Sequence, residues 1–139
     1  MHARQRGLTL VELMVVVAVM AIIATVAYPL YTAQVQKSRR ADAKVALETI
    51  AMAQERFYTI NGGYAAILST LQVSADIQGG TSNQGYYTIA DPVLSGVDQG
   101  FTVTATRAGA QASDDGCVTF TIDHTGVKTA TGSTAANCW

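Results

Sequence analysis

Residues 8–28 read LTLVELMVVVAVMAIIATVAY, and the fold turns on how this stretch is covered. It carries one charge, Glu12, and two threonines. At a helical rise of about 1.5 Å per residue it extends roughly 31 Å, close to one hydrocarbon core. A helix this apolar needs cover around its whole circumference. The rest of the 139-residue chain is too small and too polar to wrap it. Lipid, or other copies of the same helix, remains to supply that cover.

On the N-terminal side stands a short polar and basic segment, MHARQRG, ending at Gly7. An ordinary secretory signal places its small-residue cleavage site after the apolar region. Ala24 and Ala27, just ahead of Pro29, are weak candidates, and helical patterning continues past them. The distinctive junction is earlier: Gly7 meets the apolar run, and Glu12 follows five residues later.

The string Gly7-Leu8-Thr9-Leu10-Val11-Glu12-Leu13 resembles the class III signal of type IV pilins and of type II secretion pseudopilins. The resemblance implies cleavage by a prepilin peptidase between Gly7 and Leu8, on the cytoplasmic side, with the apolar helix kept on the mature protein. Leu8 would then carry the N-methylated amino group, at a position where the family more often has Phe. Glu12 would be the family's fifth-position glutamate and Pro29 its helix proline.

Chemistry supports a special role for Glu12. A carboxylate inside a membrane helix is costly and marks function. Near a helix N-terminus the dipole favours it. In a filament it can pair with the free amino group on Leu8 of a neighbouring copy, a contact that fixes register more than it stabilises, because desolvation offsets much of the attraction. The simpler reading is an interfacial glutamate that reaches headgroup water. Pro29 lacks an N–H and clashes with the Thr25 carbonyl, so a kink or local melting is expected there. Arg4 and Arg6 precede the span while Lys37, Arg39 and Arg40 follow it, so charge alone does not set orientation. The resemblance places the head outside.

Downstream, Ala43, Ala46, Leu47, Ile50, Ala53 and Phe57 recur at spacings of three and four, the stripe of a helix that covers a sheet. Lys44 and Glu48 fall at i, i+4 on the polar side. Lys37 to Arg40 form a basic run that either meets lipid headgroups or acidic neighbours, or is simply solvated. Asn61-Gly62-Gly63 ends the helix. The segments Arg39-Arg40-Ala41-Asp42-Ala43-Lys44, Gln54-Glu55-Arg56-Phe57-Tyr58 and Asn61-Gly62-Gly63-Tyr64, with Cys138-Trp139, resemble PilE-type pilins.

Residues 59–84 read as a turn-rich loop. Strand patterns follow at residues 86–90, 101–106, 117–122 and 127–130, with Phe101, Val103 and Ala105 on one side and Val118, Phe120 and Ile122 alternating. The expected fold is α+β: a long N-terminal helix packed on a small antiparallel β-sheet of three or four strands, the type IV pilin fold. Its divisions are a leader at 1–7, a transmembrane and filament-core helix at 8–30, a helix packing on the head at 31–60, the loop at 59–84, and a sheet head at 85–139.

Cys117 and Cys138 are the two cysteines. In the oxidising compartment that a membrane segment suggests, they read as one disulfide; two unpaired thiols are the alternative. The loop of about 20 residues would be worth roughly 3 kcal/mol in the chain-entropy account. From Tyr58 onward the chain carries about −4 net charge, a poor match to a phosphate backbone. His124 reads as a turn residue, and His2 has no ligand set around it. Asp114-Asp115-Gly116 is a weak calcium-loop candidate beside the simpler reading of a tight solvated turn. No catalytic residue, cofactor or metal site is expected, and no enzyme activity.

The resemblance implies a structural subunit, major or minor, of a type IV pilus. It would be a single-pass inner-membrane protein before assembly and part of an extracellular filament afterwards, serving adhesion, twitching motility or DNA uptake. Its partners would be other pilin subunits, the prepilin peptidase and an inner-membrane assembly platform. Two alternatives stand beside this: a DNA-binding competence pilin, which the acidic head disfavours, and a type II secretion pseudopilin.

Overall fold

The computed structural model describes residues 9–96 and 99–139. Gly7 and Leu8, the expected cleavage and methylation positions, lie outside the described residues. Helix α1 spans Leu10–Asn61. Thr9 caps its start, the hydroxyl accepting a hydrogen bond from the Glu12 N–H at 3.2 Å. The helix ends where expected, with Gly62 at φ 75°, a left-handed conformation that costs glycine little. Helical structure continues through Pro29, so the local melting expected there is not seen. A proline removes one rung of the hydrogen-bond ladder, and the turns on either side keep theirs.

The chain falls into two units, Met1–Val35 and Gln36–Trp139. Described by itself, the first is helix with its apolar side chains bare. Leu10, Ile22 and Tyr28 are 76%, 69% and 72% exposed, and none of the most apolar window is buried. This helix is long and apolar enough to cross a membrane.

In the second unit, α1 buries Ala43, Ala46, Leu47, Ile50 and Ala53, the stripe read from the sequence. Three alanines in that stripe let the sheet approach closely. Phe57 is only half-buried at its end. The facing side chains are Tyr87, Phe101, Val103, Phe120 and Ile122, all within the same apolar core. A 3-10 turn at Leu68–Thr70 and the short helix α2, Ala75–Gln78, add Leu68 and Ile77.

The sheet is antiparallel and has five strands rather than three or four. They are β1 (Tyr87–Ile89), β2 (Val93–Ser95), β3 (Gly100–Arg107), β4 (Thr119–Asp123) and β5 (Lys128–Thr131), in the order β1-β3-β4-β5 with β2 also on β3. Tyr87 pairs with Arg107 and Val93 with Thr102, so β1 and β2 lie end to end along one side of β3. β2 has no alternating pattern of its own and directly follows Pro92. Pairing with β3 makes it a strand, and its edge position tolerates the proline. Cys117 and Val118 stand just before β4 rather than in it. Val118 is only partly buried, because inward alternation begins at Phe120.

Polar residues also hold this unit together, and sequence reading missed them. Gln54, fully buried on α1, donates from Nε2 to the Ala65 carbonyl at 2.8 Å and accepts from the Ala65 N–H at 2.9 Å. Its amide thus does what a neighbouring strand would do for the loop backbone. Gln54→Ala leaves both backbone groups unpaired. The expected cost is about 2 kcal/mol, read as a lower urea midpoint of the detergent-solubilised chain. A midpoint within error of wild type would show that water serves Ala65 equally well.

Candidate functional site

The first unit offers an apolar helix with a single carboxylate. Glu12 sits in the opening turn of α1, where unpaired N–H groups favour negative charge. Among the described residues its carboxylate has no hydrogen-bond partner. Thr25 and Thr32, the polar residues further along, turn their hydroxyls back on the helix, donating to the Ile22 and Pro29 carbonyls. Both hydroxyls are therefore satisfied without water. That leaves Glu12 as the one charged side chain among the described residues of the apolar stretch, with the phenol hydroxyl of Tyr28 near its far end.

The second unit is built around a buried ion pair. Arg40 meets Asp114 with two parallel bonds, Nε to Oδ2 at 2.7 Å and an NH2 nitrogen to Oδ1 at 2.8 Å. Asp114 is 1% exposed. It also accepts from the Gln111 side chain at 2.7 Å and the Gly116 N–H at 3.2 Å. Burial by itself pushes the Asp114 carboxyl up, but the Arg40 guanidinium, with the Cys117 backbone N–H and the Gln111 amide, reverses that, and the group ends below the ordinary carboxylate value. Asp114 is thus neither a calcium ligand nor part of a solvated turn. It anchors the loop before β4 to α1. Among the described residues no cluster of ligands suits a metal ion.

Two of the three cations in the basic run, Arg39 and Arg40, are likewise committed. Arg39 donates to the Ala110 carbonyl at 3.0 Å and lies 4.8 Å over the Tyr86 ring. Asp42, on the next turn of α1, accepts from Ser82 and from the Gln84 N–H, holding the loop before β1. Sequence spacing did not reveal these partners, which lie some 40 to 74 residues away. Glu48 pairs with Lys128 of β5, not with Lys44 one turn away. His124 is an exposed turn residue, its ring 6.5 Å from that of Tyr64.

A disulfide joins Cys117 to Cys138, with Cα atoms 5.8 Å apart and both residues buried. It ties the C-terminal segment to the start of β4. Trp139 then packs edge-on against Phe120 at 5.6 Å, donates from Nε1 to the Thr129 carbonyl at 2.6 Å, and carries Lys128 over its ring at 4.9 Å.

Comparison with known proteins bears on the family and the fold. A family model described as type IV minor pilin ComP, DNA uptake sequence receptor, matches residues 29–121. A second, the prokaryotic N-terminal methylation motif, matches residues 2–28. A fimbrial protein of Neisseria meningitidis is 30% identical over 115 residues, a match covering 83% of this chain and 62% of that protein. The type IV major pilin protein PilA of Myxococcus xanthus is 37% identical over 64 residues, covering 46% of this chain and 29% of that protein. The chain thus spans less than two thirds of either relative's length. The solved structure of a type IV pilin from Shewanella oneidensis superposes with a TM-score of 0.52 at 33% identity, covering 75% of this chain and 97% of that one. The minor pilin PilV of Neisseria meningitidis shares the fold, with a TM-score of 0.50 at 19% identity and coverage of 72% and 90%. The chain belongs to the type IV pilin family.

Proposed function

We propose that this chain is a structural subunit, major or minor, of a type IV pilus. The supporting observation is the bare apolar helix of residues 10–31, which none of the described residues covers and which one carboxylate, Glu12, punctuates. In this reading lipid covers the helix before assembly and sister helices cover it afterwards. The chain crosses the inner membrane once, and its head ends outside the cell in the filament. Prepilin peptidase cuts between Gly7 and Leu8, and the new amino terminus on Leu8 is methylated. Glu12 pairs with that amino group on a neighbouring copy and sets the register. The helix loosens at Pro29 only as subunits pack. An inner-membrane platform draws subunits from the bilayer. The chain carries no catalytic site.

Gly7→Val tests the processing step. A branched side chain at the cut should leave the full precursor in the inner membrane and abolish its recovery in sheared filaments. Normal incorporation of that variant, with the leader cut, would refute cleavage after residue 7.

A second reading, capture of DNA, is favoured by the family model matched over residues 29–121, which is described as a DNA uptake receptor. Phosphate contacts would make such binding fall steeply with salt. Retardation of duplex DNA at low salt, lost as salt rises, would support it; no retardation at any salt would remove it.

A further inference from the structure

A groove of about 580 Å3 opens in the second unit between α1 and the C-terminal segment, lined by Lys37, Arg40, Lys44, Thr134, Asn137 and Trp139. Lys128 of β5 adds its charge nearby. Two of these four cations are already neutralised: Arg40 by Asp114 and Lys128 by Glu48. Lys37 and Lys44 have no hydrogen-bond or ion-pair partner among the described residues. Lys44 is held below the ordinary lysine value, first by partial burial and then by the positive charges of Arg40 and Lys128. Its charge is therefore uncomfortable as the groove stands, and an anion seated there would relieve it.

The same unit holds one uncommitted side-chain carboxylate among its described residues. Asp42, Glu48, Glu55, Asp91, Asp114, Asp115 and Asp123 all accept hydrogen bonds or ion pairs within the chain. Asp76 does not, and it is exposed on α2. The backbone that follows α2 joins β1: Gly80 accepts from the Ile89 N–H at 2.7 Å, and Thr81 bridges Thr88. The groove lies at the other edge, against β5 and the segment after it. The order β1-β3-β4-β5 keeps the two groups apart, with β3 and β4 between them.

We propose that the groove receives Asp76 from a second copy of this chain. Asp76, the one free side-chain carboxylate among the described residues of this unit, and the two free lysines are complementary in charge, and opposite sheet edges prevent them from meeting within one molecule. A contact between two different patches is heterologous: each copy offers one patch and keeps the other open, so the contact propagates instead of closing into a dimer. The inference rests on the filament reading above and specifies one head-to-head contact within it.

Zero-length carbodiimide coupling of sheared filaments tests it on the native chain. Cells shifted from heavy to light nitrogen supply mixed filaments, so mass spectrometry separates links between copies from links within one. The expected product is a heavy–light peptide pair joining Asp76 to Lys37 or Lys44. Charge reversal gives a second readout. Lys37→Glu with Lys44→Glu should lower incorporation into filaments about tenfold, since it sets like charges against each other, and adding Asp76→Lys should restore it. Filaments that contain the chain but link Asp76 elsewhere, or that the triple variant does not rescue, overturn this inference and leave the filament reading standing. Protection of Lys37 and Lys44 from acetylation by duplex DNA, with no protection in filaments, also overturns it, in favour of a nucleic-acid site. Absence of the wild-type chain from filaments overturns both.

Discussion

Asp114→Ala is expected to cost the folded chain about 3 kcal/mol, among the largest losses available to a single substitution outside the apolar core. The loss is not that of one attraction. Asp114 answers Arg40 twice, the Gln111 amide and the Gly116 N–H, and its removal leaves all of these facing one another without a carboxylate. Arg40 is 15% exposed along its side chain, so water reaches it only in part. Replacing both partners by apolar residues, as in Arg40→Met with Asp114→Leu, should cost less than Asp114→Ala, because no buried charge is stranded. Urea unfolding in detergent gives the comparison. Equal losses in the two variants would mean that the pair is solvated and not truly buried.

The pH dependence follows from the same geometry. The folded Asp114 carboxyl lies below its ordinary value of 3.8, so the unfolded state binds its proton first as pH falls. The contribution is complete above that ordinary value. It fades as pH drops through it towards the lower folded value. Wild type should therefore lose stability at acid pH more steeply than Asp114→Ala. Parallel acid profiles would contradict this.

Replacing both cysteines, Cys117→Ala with Cys138→Ala, should cost about 3 kcal/mol, the constraint that a crosslink of sequence separation 21 places on the unfolded chain. A local consequence accompanies the global one. The disulfide holds Cys138 beside the Gly116 carbonyl, and Trp139 beyond it is seated against Phe120. Without the crosslink this segment should detach at lower urea than the sheet, seen as an early change in Trp139 fluorescence. The chain has one tryptophan, so the signal is unambiguous. Coincident transitions and an unchanged midpoint would show that packing of Trp139 alone holds the segment. Reduction of the wild-type chain should reproduce the double variant.

Much of this architecture was legible in the sequence because it follows from periodicity. The bare helix follows from twenty-one consecutive residues with a single charge, Glu12. The buried stripe from Ala43 to Ala53 follows from spacings of three and four, and the end of α1 from Asn61-Gly62. Strands β3 and β4 showed themselves by alternation. The pairing of Cys117 with Cys138 needed only that there were two cysteines and an oxidising compartment. Strand β2 was not legible, since Val93–Ser95 acquires strand geometry only by bonding to β3. The lysine groove was hidden as well, because Lys37, Lys44 and the C-terminal segment are distant in sequence. Asp114 was misread because a carboxylate in a short acidic turn looks solvated until a guanidinium 74 residues away is brought to it.

By itself, then, the order of residues settled where the long helix and four of the five strands lie, and which part of that helix the rest of the chain is too small and too polar to cover. These outcomes depend on local propensity and on how much apolar surface the remainder can supply, both of which can be counted along the chain. Tertiary structure alone decided which charges are spent and which are free. That depends on distances between groups remote in sequence, and a charge has no periodicity from which its partner can be read.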